Sequence, residues 1–170
     1  MTDHKQPQAL TLPFPLDLVA WDFDRTILSG HSTGAISYYS SAHKDEWARY
    51  WATQITPEWL CQYRALKKAH VNQAVVTFAD STRNVSYANG SGVLAGATLV
   101  RAILSCIFDD QEAADLPVYG LLPEYQNSSM KHDGIRFPNN KQWHLKQAMK
   151  HYGLKDWTRV LLVDDSQNNL

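Results

Sequence analysis

Residues 16–24 read LDLVAWDFD, an apolar run that ends in two carboxylates and follows Pro13 and Pro15. A short run without polar alternation is the pattern of a strand buried on both faces, as in a parallel sheet. Further runs of this kind are QAVVTF at 73–78, PVYGLL at 117–122 and RVLLVDD at 159–165. Parallel strands cannot be joined by tight turns and need crossovers, usually helices. The segments between these runs supply them.

Residues 43–53 carry Trp47, Tyr50 and Trp51 at helical spacing. Thr56, Pro57 and Glu58 then offer an N-cap, a first-turn proline and a first-turn acid. Behind them Trp59, Leu60, Tyr63 and Leu66 predict one apolar face of a helix running to about His70, with the aromatic stripe taken as core. Leu99, Val100, Ile103, Leu104 and Ile107 predict an amphipathic helix over 97–108. Asn140 is expected to cap a last helix with Leu145, Ala148, Met149 and Tyr152 inward, ended by Gly153. The Ser/Thr/Asn/Gly-rich stretch 80–92 reads as loop, and 123–139 as loop or hairpin. The expected fold is therefore α/β, a three-layer Rossmann-like parallel sheet with helices on both faces.

Length and charge bound the function. The chain has 170 residues, enough for one core, with 44% hydrophobic and 19% charged residues. No apolar run approaches the roughly 18 to 20 residues of a membrane span, and the opening residues lack a secretory h-region, so a cytoplasmic protein is expected. Sixteen basic against seventeen acidic side chains give a net charge of −1, so nucleic-acid binding is not indicated. Cys61 and Cys106 lie in helical patterns without CxxC spacing and are expected as reduced core thiols. The N-x-S sequons at Asn84, Asn89 and Asn127 read as polar loop residues.

The residues with chemistry cluster in one place of the expected fold. Asp22 and Asp24 close the first strand, Thr77 the second, Asp164 and Asp165 the fourth, and Lys141 opens the last helix. Ligands of open α/β sheets bind outside the carboxyl ends of the strands. Carboxylates at positions i and i+2 of an extended segment point the same way, and several acids converging there repel unless a hard cation lies between them, which implies Mg2+. With that charge and a lysine present, one ionised carboxylate can attack phosphorus while its neighbour protonates the leaving oxygen and then activates water. Thr77 can hydrogen-bond phosphoryl oxygens.

Other roles compete for each residue. Thr77 is also readable as an ordinary strand threonine, and Lys141 as a solvated first-turn lysine, although a cation gains nothing from the dipole there. Lys131 and Lys146 lie near enough in sequence to be mistaken for Lys141. Arg25 can reach a substrate phosphate or form a surface salt bridge. His31, His70, His132 and His144 are expected to be surface or hydrogen-bonded histidines rather than ligands.

In this order, DFDRT at 22–26, the strand ending at Thr77, Lys141, and VDDSQNN at 163–169 resemble the four motifs of the haloacid dehalogenase (HAD) superfamily, over residues 16–170. The resemblance implies Asp22 as nucleophile and Asp24 as general acid/base and backbone-carbonyl metal ligand. Thr77 and Lys141 would bind phosphate, Asp165 would ligate Mg2+ directly, Asp164 would help through water, and Asn169 would fill a second polar position. The second aspartate, Asp24, is the mark of the family's phosphatases and phosphomutases. The expected activity is thus a Mg2+-dependent phosphatase forming an aspartyl-phosphate on Asp22, with a small metabolite or a phosphoprotein as substrate.

The expected organisation is a loose tail at 1–14 and one HAD-like core at 15–170, with short insertions at about 29–55 and 123–139 serving as a flap or short helical cover rather than a large cap. The family fold usually continues past its fourth motif, so the strand at 159–163 is expected at the sheet edge, which invites a homodimer. A catalytically inactive binding or regulatory module on the same fold is the alternative. A phospho-acceptor receiver domain gathers similar residues, but carries its acid pair at the first strand, whereas here the adjacent pair follows the last.

Overall fold

The computed structural model describes residues 15–80, 83–121 and 141–166. Four strands, β1 (Leu18–Asp22), β3 (Asn72–Asp80), β6 (Val118–Leu121) and β7 (Val160–Val163), form a parallel sheet in the order β6-β3-β1-β7. All four correspond to the apolar runs. The parallel sheet is flanked by α2 (Pro57–Lys68) and α3 (Gly96–Leu104) on one face and α5 (Gln142–His151) on the other, while α1 (Ser41–Ala52) packs against α3 and the short α4 (Asp110–Asp115) precedes β6, an α/β architecture of Rossmann-like type.

Alternation along β1 explains why both faces are covered. Val19 and Trp21 join a cluster with Val75, with Trp59, Tyr63 and Leu66 of α2, and with Leu99, Val100 and Ile103 of α3. Leu18 and Ala20 face the other way, into clusters with Ala74, Val76 and the α5 residues Leu145, Ala148 and Met149. Each fully buried Leu, Ile or Val contributes about 1.5–3 kcal/mol. One polar bridge runs through the core: Trp21 Nε1 donates to Gln73 Oε1 at 3.0 Å, and Gln73 Nε2 donates to the Tyr63 carbonyl at 2.9 Å.

Local signals account for the helix starts. Thr56 caps α2, its hydroxyl accepting from Trp59 N at 3.3 Å, with Pro57 in the first turn. Asp109 caps the short α4 through Glu112 N at 2.8 Å, a helix that the sequence reading did not anticipate. The helix expected over 97–108 ends at Leu104.

Other expectations are corrected. The stretch 80–92 is not all loop, because β2 (Ala35–Tyr38), β4 (Val85–Ser86) and β5 (Gly92–Ala95) form an antiparallel sheet in the order β2-β5-β4. Strands of two to four residues are too short for periodicity to register. The aromatic stripe of α2 is core, with Trp59, Tyr63 and Leu66 buried, whereas Tyr50 of α1 is exposed. Cys61 and Cys106 are exposed rather than core thiols, because the apolar faces of their segments are filled by larger side chains. Asn84 and Asn89 are exposed, as expected. The tail at 1–14, the stretch 123–139, Asn127, Lys131, His132, the Asn140 cap and Asn169 lie outside the described residues. Among the described residues no helix is long and apolar enough to cross a membrane.

Candidate functional site

Strand register brings the sequence-predicted residues together. Trp21 pairs with Val75 on one side of β1 and with Val163 on the other. One step onward, Asp22 stands beside Val76, with Thr77 next in line, while Asp164 follows Val163 immediately. The central strand therefore carries the first aspartate between neighbours that carry the other groups. Phe23–Ile27 form a single wide turn after β1, closed by the Leu28 N–H on the Phe23 carbonyl. Asp24 lies in this turn, beyond the end of the strand, yet both Asp22 and Asp24 border the same cavity, as their spacing leads one to expect.

Carboxylate oxygens of Asp22, Asp164 and Asp165 lie within 4.8 Å of one another. Lys141 meets two of these acids. Its ammonium pairs with Asp22 Oδ1 and, at 2.8 Å, with Asp164 Oδ2, and its side chain is only 1% exposed. Lys141 sits at the N-cap position of α5 and provides no side-chain cap there, so its placement serves the acids rather than the helix. Nζ also lies 5.4 Å from the Phe78 ring centroid, a cation–π distance. Lys146, by contrast, is exposed on α5.

Burial pushes the Asp22 carboxyl up to about 6, because desolvation outweighs the opposing pull of Lys141, and the Asp164 charge adds to the rise. Three carboxylates against one ammonium leave two uncompensated negative charges in a partly desolvated space. A divalent cation with oxygen preference would cancel them. The donor set fits such an ion.

Thr77 is 3% exposed, and its Oγ1 accepts the Ala79 N–H at 3.2 Å, where the β3 register shifts. Its hydroxyl hydrogen remains to donate. Asp24 is held by both oxygens: Oδ1 accepts the Ser32 N–H at 2.8 Å, and Oδ2 lies 2.6 Å from His31 Nδ1. The side chain of Asp24 is 16% exposed and that of His31 54%. Asp22, Asp24, Thr77, Lys141 and Asp165 all line one cavity of about 390 Å³, which Arg25, Phe78 and Arg83 also border.

One histidine meets expectation and another departs from it. His31 is exposed, yet its ring engages Asp24; the only signal was its place seven residues further on. His144 is fully buried rather than at the surface; among the described residues its ring nitrogens meet no partner in strict hydrogen-bond geometry, although the Thr77 backbone acts on it as a hydrogen-bonding group. It packs edge-on to Phe78 at 5.4 Å and to Trp143 at 5.0 Å. Desolvation, and then the Lys141 charge, hold its pKa down at about 4, so it is neutral near pH 7.

Comparison with protein-family models, curated proteins and solved structures finds no significant match to this chain.

Proposed function

We propose that this chain is a Mg2+-dependent phosphate-ester hydrolase of the HAD type, working through an aspartyl-phosphate on Asp22. One observation carries the reading: Asp22, Asp164 and Asp165 converge within 4.8 Å at the strand ends, with the buried Lys141 bridging two of them. A merely structural ion pair has no use for two further acids.

Asp22, Asp164 and Asp165 would hold the ion, with the Asp24 backbone carbonyl as the fourth protein ligand that the family resemblance implies. When bound, Mg2+ supplies positive charge against the phosphoryl oxygens. Lys141 and Thr77 orient those oxygens, one by charge and one by its hydroxyl. The Asp22 carboxylate forms the new O–P bond as the ester P–O bond breaks, and Asp24 passes a proton to the departing oxygen. Asp24 then takes a proton from water, the resulting hydroxide attacks phosphorus, and the Asp22–phosphorus bond breaks to release inorganic phosphate. Contacts with Ser32 and His31 fix the orientation of Asp24 for both transfers.

Hydrolysis of p-nitrophenyl phosphate tests the proposal, with Mg2+, with EDTA, and with Asp22→Asn, folding being monitored by circular dichroism. Metal-dependent release of p-nitrophenol that falls by at least about 10³-fold in the variant is the expected result. Folded wild-type protein without turnover would favour the inactive regulatory module.

A further inference from the structure

Two cations on the cavity wall are not used by the mechanism. Arg25 and Arg83 are both exposed and both line the 390 Å³ cavity that holds Asp22 and Lys141. Lys141 is already paired with two acids. Neither arginine makes an ion pair or a ring contact among the described residues.

The backbone at Arg25 makes its side chain conspicuous. The residue has φ 60 and ψ 6, in the left-handed region that favours glycine. Its N–H donates to the Gly30 carbonyl at 3.0 Å, so the turn holds this conformation. An arginine here adds strain that a glycine would not, and non-glycine residues in such conformations cluster at functional sites. Arg25 lines the same cavity as Asp24 and Lys141, within reach of the part of a bound ester that lies beyond its phosphoryl group.

We infer that Arg25 and Arg83 form a second anion-binding subsite, so that the substrate is a small phosphate ester carrying a further phosphate or carboxylate group. The inference rests on the phosphate-ester reading and names the substrate class for it. Guanidinium forks suit either anion through paired N–H donors. A cavity of 390 Å³ is at the small end of ligand sites, which suits a compact doubly anionic ester.

The test uses three esters of one carbon skeleton with Mg2+: propyl phosphate, 3-(phosphonooxy)propanoate and propane-1,3-diyl bisphosphate. Wild-type kcat/KM is expected to be at least about tenfold higher for one or both doubly anionic esters, the gain of a charge-assisted contact. The preferred member of that pair tells whether carboxylate or phosphate is the second anion. Arg25→Gly and Arg83→Gln should each lower the preference to within about threefold. Arg25→Gly relieves the backbone, so its thermal midpoint should equal or exceed that of wild type, which separates lost recognition from misfolding. Equal kcat/KM for the three esters, or a preference untouched by both substitutions, overturns the second subsite and leaves the hydrolase reading standing. Folded protein that turns over none of them overturns the hydrolase reading and this inference with it.

Discussion

Lys141 Nζ lies 2.8 Å from Asp164 Oδ2, with both side chains only 1% exposed. The same ammonium pairs with Asp22, so one buried cation links the last helix to the ends of two neighbouring strands. Such a charge is tolerated only because its partners are in place.

Lys141→Met should therefore destabilise the protein by roughly 3 to 5 kcal/mol at pH 7, since it leaves buried carboxylates without their counter-charge. The Asp22 carboxyl, already raised to about 6, would be raised further in the variant and take up a proton on acidification, removing a charge. The loss should accordingly be smaller at pH 5 than at pH 7. Urea unfolding of both proteins at the two pH values checks this, and an equal loss at both would refute it.

Mg2+ should stabilise the folded chain even without substrate. At a concentration 100 times its dissociation constant the gain is about 2.7 kcal/mol, visible as a higher thermal midpoint that EDTA reverses. Asp165 is the exposed member of the acidic cluster, so Asp165→Asn should remove most of the gain at that Mg2+ concentration and do little to the metal-free protein.

His144 makes stability pH-dependent in the opposite sense from Asp22. Its pKa of about 4 in the folded protein lies below its ordinary 6.5, so between these values the unfolded chain binds a proton that the folded one does not. Stability is then lost as pH falls below 6.5, by roughly 2 kcal/mol at pH 5. His144→Phe retains a ring against Phe78 and removes the titration. It should gain about that much on wild type between pH 7 and pH 5 in denaturant titrations; parallel pH curves would count against the assignment.

Gly92 is required by the small sheet. A Cβ there would come within 2.3 Å of the Val85 carbonyl and 2.4 Å of Tyr38 Oη, and the former is backbone that cannot swing away. Tyr38 also hydrogen-bonds Ser86 at 3.1 Å. Gly92→Ala should cost about 1–3 kcal/mol and speed hydrogen exchange at Val85 and Val93 while sparing β1 and β3.

The parallel sheet was legible because its strands are continuous apolar runs, and α2 because Thr56-Pro57-Glu58 is a strong local start signal. The antiparallel sheet was not. Its strands pair residues as far apart as Ala35 and Ala95, and segments this short have no periodicity of their own. The acids Asp22, Asp24, Asp164 and Asp165 could be picked out for the same reason as the strands, since they sit where the apolar runs stop.

By itself, then, the sequence determined which residues are strand ends and hence which polar groups gather at one rim of the sheet. Hydrophobic patterning is local and needs no knowledge of partners. Only the tertiary structure decided that Lys141 rather than Lys146 turns inward, that His31 braces Asp24, that His144 is fully buried, and that Arg25 and Arg83 share a cavity. Each of these depends on contacts between distant segments, set by strand register and helix packing, which no local pattern encodes.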